Sequence, residues 1–312
     1  MKRTKINCFN KKPWFDLKHD WQLWLLLLPA LIYIVIFCYG PMYGLQLAFR
    51  DYDFSKGLTG GTWVGLKYFK QYFTSPMFWP TVKNTFVIAF FSLICGFPVP
   101  IILALVIDSI KNKNWRRVVQ TSVYMPYFIS TVVLVAMLQI MLSPSTGIID
   151  HFLKATGLFS GQSNFLGDVS AFVPVYVISG IWQSAGWNSI IFIAALSAVD
   201  GQLYDAAKVD GANRWQQVWY VKLPALLPTI IILLIMNMGG ILSVGFEKTF
   251  LMQNSLNKAV SEVISTYVFN VGVKSSQFSF GSAVGLFNTI VNFIFLMAVN
   301  KISKRTADIS LL

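Results

Sequence analysis

Charge is what this sequence has least of. Asp, Glu, Lys and Arg make up 12% of its 312 residues, whereas a soluble domain carries about a quarter. With 55% hydrophobic residues and a mean hydropathy of +0.59, that shortage excludes a disordered chain. It also argues against most soluble enzymes and nucleic-acid-binding domains. The length would allow two soluble domains, but the spacing of the charges argues for one membrane unit. Histidine is nearly missing. His19 and His151 are the only two; two are too few for a multi-histidine metal site, and they read as solvated loop residues. No H-E-x-x-H, C-x-x-C or G-x-S-x-G occurs, so nothing nominates a metal centre, a thiol pair or a nucleophile. No G-x-x-x-x-G-K-[ST] occurs either, so the chain lacks a phosphate loop. Of three cysteines, Cys8 precedes the first apolar run, and Cys38 and Cys95 lie within apolar runs, so no disulfide is expected. Repeats and low-complexity tracts are also missing.

What is present is a set of long charge-free stretches. A bilayer-spanning helix needs about 20 residues free of ionised groups. Six stretches qualify: Gln22–Phe49, Asn84–Ile107, Val118–Ile149, Val169–Val199, Leu223–Phe246 and Ser275–Asn300. They are too long for strands and do not alternate. The expectation is an all-α integral membrane protein with six transmembrane helices, kinked at Pro98, Pro100 and Pro126. Both termini are expected in the cytoplasm, because that choice puts 16 of the 25 Lys and Arg on the cytoplasmic side. The same bias, near anionic lipid, accounts for the net charge of +12 without nucleic acid. The first apolar run has no small-residue cleavage site and reads as a retained helix.

None of the six apolar cores contains an acidic residue; Asp108 and Glu247 sit at span ends. That argues against a proton relay. Polar side chains within the spans are Gln183, Trp187 and Asn188 in the fourth, Asn237 in the fifth, and Asn288 and Asn292 in the sixth. They either line a polar path for an uncharged, hydroxyl-rich solute or pack helices together. Gly281 and Gly285 give a close-approach stripe, within the chain or against a second subunit.

The loop between spans four and five is the most informative segment. Asp200 can cap a short helix beginning near Gln202, Asp210-Gly211 breaks it, and Asn213 with Gln216 forms a capping box for a second. Such a bent, half-apolar pair either docks a partner or lies on the membrane. Asp205-Ala206-Ala207, Gly211 and Leu223-Pro224 stand in the register of the EAA loop. In these residues the chain resembles permease subunits of binding-protein-dependent ABC importers. Asp205 replaces the usual Glu, and Gly201 stands where a proline often precedes the helix. Pro41-Met42-Tyr43-Gly44, Trp63-Val64-Gly65-Leu66, Val119-Gln120-Thr121, Gly239-Gly240-Ile241-Leu242 and Val244-Gly245-Phe246-Glu247 are similar to the oligosaccharide branch, which includes maltose and alginate importer permeases. The likeness covers about residues 20–305.

The resemblance implies a prokaryotic multi-pass cell-membrane protein importing an oligosaccharide handed over by an extracellular binding protein. It implies a cytoplasmic segment 1–20, a transmembrane domain 21–305 with a coupling loop at 200–224, and a tail at 306–312. Asp205, Ala206, Ala207, Asp210 and Gly211 would engage the ATPase. Two ATPase subunits would hold ATP and Mg, this chain would bind no cofactor, and a second homologous permease would complete the pore. The long outer loops 51–83, 143–168 and 247–274 would contact the binding protein. A stand-alone secondary transporter of a neutral polar solute, and a membrane enzyme or scaffold, are the competing readings.

Overall fold

A computed structural model describes residues 21–144, 146–148, 151–152 and 164–307. Segment 1–20 with Cys8 and His19, Lys154 in the second outer loop, and residues 308–312 of the tail lie outside the described residues. Helix α1 (Trp24–Phe49) is followed by a small antiparallel hairpin of β1 (Arg50–Asp53) and β2 (Gly57–Trp63) and by α2 (Lys67–Phe73). Then come α3 (Phe78–Asp108), α4 (Lys113–Phe128), α5 (Thr131–Met141), α6 (Val169–Ser197), α7 (Gly201–Val209) and α8 (Arg214–Gly239). Three short helices, α9 (Phe246–Met252), α10 (Lys258–Ser261) and α11 (Ile264–Val268), lead to α12 (Phe278–Lys304).

The hairpin corrects the all-α expectation. Asp53 closes its turn by accepting from the Ser55 backbone and hydroxyl at 2.9 and 2.7 Å, and Gly57 takes φ +70°. Outside the apolar stretches, water can satisfy an open strand edge, which hydrocarbon cannot do. Tyr68 on α2 anchors the hairpin by donating to Asp51 at 2.6 Å. That hydrogen bond, helped by Lys67, holds the Asp51 carboxyl below its ordinary range. Burial, then Asp51 itself, pushes the Tyr68 hydroxyl up to about 12.

Among the described residues, five helices (α1, α3, α6, α8 and α12) are long and apolar enough to cross a membrane singly. The stretch expected as a third span holds the pair α4–α5, bent by 94°, which brings the number of spans to six if the pair counts as one. Pro126 lacks an N–H, the chain tightens into a 3-10 turn at Met125–Phe128, and Ile129 is extended. Ser130 then caps α5 by accepting from Val133 N. Pro98 and Pro100 have a milder effect, because Phe97 keeps helical angles and α3 runs on as one span. Charge-free length also misplaced ends: α8 starts nine residues before Leu223, at Arg214, and stops at Gly239.

α6 is the centre of the bundle. Its Phe172, Tyr176 and Val177 pack with Ile88 of α3, Val135 of α5, Met252 of α9 and the turn Ile241–Val244. Toward its other end, Phe192, Ile193 and Leu196 pack with Ala104 and Ile107 of α3 and Leu226 of α8. A third cluster joins Tyr72 of α2 to Tyr267 of α11 and Phe280 and Val284 of α12. Gly281 lies against Gly272 of this same chain, while Gly285 faces open space. α1 has none of its most apolar window buried within the chain.

Candidate functional site

The loop after α6 folds as its capping residues dictate. Asp200 caps α7 by accepting from Gln202 N at 2.9 Å. Asp210 ends the helix, and Gly211 turns the chain at φ +75°, a left-handed angle that side chains with a Cβ resist. Asn213 and Gln216 then form a reciprocal capping box, at 2.7 and 2.9 Å. The capped segment differs from expectation in one respect. It is not a second separate helix but the first turns of α8, which widen into a π-helical stretch at Val218–Lys222 and continue through Pro224. Leu-Pro can sit there because proline is tolerated where a helix has already been loosened.

No residue of α7 is buried. Leu203, Val209, Trp215, Trp219 and Tyr220 are exposed, the last at 78%. Asp205 forms a solvent-exposed pair with Lys208 at 2.8 Å. Tyr204, half-buried, lies under the Lys222 ammonium, 6.0 Å from its ring centre.

Beneath this loop lies an ion cluster. Asp108, the last residue of α3, holds Lys222 of α8 at 2.7 Å and Arg116 of α4 at 3.6 Å. The Lys222 side chain is only 10% exposed. Removing one partner of a buried pair strands the other, which costs about 3–5 kcal/mol. Asp108→Ala is therefore expected to lower the thermal midpoint of the purified protein substantially. Lys222→Met with Asp108→Leu, which removes the tighter pair and leaves only the more exposed Arg116 to water, should recover much of the loss; thermal unfolding of both variants in one detergent measures it.

The other feature is a cavity of about 470 Å³ between α3, α6, α8 and the α8–α9 turn. Its lining along α6 extends from Tyr176 to Phe192, about 24 Å at 1.5 Å per residue. Gln183, Asn188 and Asn237 line it, together with Ser92, Ser184 and Ser243. The other three polar positions expected of a path are not there. Asn292 is a clamp, accepting from Leu242 N at 2.9 Å and donating to Ser243 Oγ at 3.2 Å, so it fixes the turn after α8. Asn288 has its Oδ1 buried without a hydrogen-bond partner. Trp187 stacks on Tyr127 at 4.6 Å and meets Phe128 edge-on, and so supports the α4–α5 bend. Gln183 shares that duty, donating to Ile129 O at 2.7 Å.

Lys248 also lines the cavity. It lies within the outer loop expected at 247–274, yet only 8% of it is exposed. No local signal separates it from a solvated loop lysine, because its burial depends on α9 folding back onto α6.

Residues 96–306 match the family described as binding-protein-dependent transport system inner membrane component. Protein LplB of Bacillus subtilis is 40% identical, covering 93% of this chain and 90% of its own length. The polygalacturonan/rhamnogalacturonan transport system permease protein YteP of the same organism is 42% identical, covering 92% and 88%. Among solved structures, a bacterial ABC transporter involved in the import of the acidic polysaccharide alginate contains a chain 38% identical to this one. The match covers 95% of this chain and all of that one, with a TM-score of 0.87. The same transporter type has been solved with an alginate pentasaccharide-bound periplasmic protein.

Proposed function

We propose that this chain, which belongs to the family of binding-protein-dependent transport system inner membrane components, pairs with a second homologous permease to form the pore of an ATP-driven oligosaccharide importer. It is a multi-pass membrane protein and a sugar ABC transporter permease. The observation that carries the finer reading is α7: a capped, unburied helix ended by a left-handed glycine, standing beside an ion cluster that joins α3, α4 and α8.

In this reading residues 21–305 are the transmembrane domain, 1–20 and 306–312 are cytoplasmic, and 200–224 is the coupling loop. Asp205, Ala206, Ala207, Asp210 and Gly211 enter a cleft of an ATPase subunit, where two alanines keep the helix thin. Two such subunits bind ATP and Mg, and this chain binds neither. Displacement of α7 reaches the spans through Tyr204, Lys222 and Asp108. A sugar released by the extracellular binding protein then passes the amides Gln183, Asn188 and Asn237. The bare face of α1 is where the second permease or lipid packs.

The test is uptake into proteoliposomes holding the complete transporter. Accumulation of labelled oligosaccharide is expected only with binding protein outside and ATP inside. Accumulation driven by a sodium gradient without ATP would overturn the proposal. The purified chain alone is expected to hydrolyse no ATP above background, as phosphate release will show; turnover free of other subunits would contradict the division of labour.

A further inference from the structure

Among the described residues two lysines are buried, and they differ in one respect. Lys222 has a carboxylate at 2.7 Å. Lys248 has none among the described residues; its ammonium donates to Tyr176 O at 2.8 Å and lies 4.6 Å from the Tyr176 ring centre. An ammonium has three N–H donors, and one carbonyl with one aromatic face offsets only part of the cost of taking the charge from water. The remaining donors adjoin the 470 Å³ cavity, which Lys248 lines. Gly180 lines it too, and a Cβ there would stand 3.2 Å from Nζ, so the absence of a side chain leaves the ammonium accessible. Asn188, on the same wall, makes no side-chain hydrogen bond among the described residues.

We infer that Lys248 is a carboxylate-binding residue of the translocation path, and that the cargo is an acidic, uronate-bearing oligosaccharide. This rests on the importer reading and deepens it. A neutral sugar brings only hydroxyls, which leave the buried charge uncompensated. A uronate carboxylate accepts from the free N–H groups while its hydroxyls meet Gln183, Asn188 and Asn237. The elongated cavity suits a chain passing end-on.

The experiment uses the complete transporter in nanodiscs without binding protein. The probes are tritium-labelled oligomers from digests of galacturonan and alginate, and the same oligomers with their carboxyls methyl-esterified. Acidic oligomers are expected to bind at least tenfold more tightly than their esters, in keeping with the strength of a charged hydrogen bond. Lys248→Met should remove that preference and leave ester binding unchanged, and Lys248→Arg should largely restore it. Three results each overturn the inference: equal or undetectable binding of acid and ester by the wild type, an undiminished acid preference in Lys248→Met, or a parallel loss of both probes with Lys248→Met, which marks a mere tether. Uptake of the same probes with binding protein and ATP tests the importer reading separately. If nothing accumulates from either digest or from a neutral one, that reading fails as well.

Discussion

Gly211→Pro is expected to abolish ATP-driven uptake, by at least a hundredfold, while leaving the protein in the membrane at normal abundance. Proline holds φ near −65°, and Gly211 stands at +75°. The substitution also removes the Gly211 N–H that bonds Lys208 O at 3.0 Å. A Cβ at this position meets nothing within 4 Å, so the damage comes from backbone angle and not from a clash. α7 contributes no buried residue, and misdirecting it leaves the three packed clusters intact. Gly211→Ala, with only the cost of a left-handed angle to bear, about 1–2 kcal/mol, should fall between. Asp205→Arg should impair uptake as severely, since it sets a second cation beside Lys208 where Asp205 now neutralises it. Uptake and ATP hydrolysis per assembled complex, with abundance from immunoblots, distinguish a failure of coupling from a failure of folding. Normal accumulation in Gly211→Pro would remove α7 from the mechanism.

Gly186→Val should do the reverse and prevent assembly. The Cβ it adds would run into the backbone carbonyl of Val123, a clash that no rotamer change relieves. Around this approach the bend is supported by Gln183 on Ile129 O and by Trp187 on Tyr127. Pushing α4 off α6 breaks all three, so the cost should exceed the ~1–3 kcal/mol of ordinary overpacking. Recovered folded protein should fall at least tenfold by size-exclusion chromatography. Gly285→Ala provides the contrast, because open space surrounds that glycine and its effect should stay within about 0.5 kcal/mol. Equal recovery of Gly186→Val and wild type would refute the close approach.

The contrast between these glycines shows where sequence reading stops. Gly211 was legible: an Asp-Gly pair after a capped helix and before a capping box states its own geometry, and the resemblance attached a role to it. The spans were legible because ionised groups are excluded from hydrocarbon over about 20 residues, a rule that acts locally. The 94° bend was legible only as a kink at Pro126. What turns a kink into a right angle is the seat formed by Gln183, Gly186 and Trp187, which lie far along the chain from the residues they hold. Gln183 and Trp187 stand out for the right chemistry, amide and indole, but Trp187 packs the bend, and Gln183 both props it and lines the cavity. Asn292 likewise proved to be a turn clamp. Lys248 is invisible in the sequence because a lysine just past a span end looks solvated until α9 is known to fold inward.

One carboxylate, that of Asp108, is shared by cations from two other helices. Rods pinned together at one tip can only fan apart at the opposite tip. Whatever widening α3, α4 and α8 undergo must therefore grow with distance from that knot, so a small swing beside the Asp108 pins is amplified toward the opposite end of the bundle, near Tyr176 and Lys248.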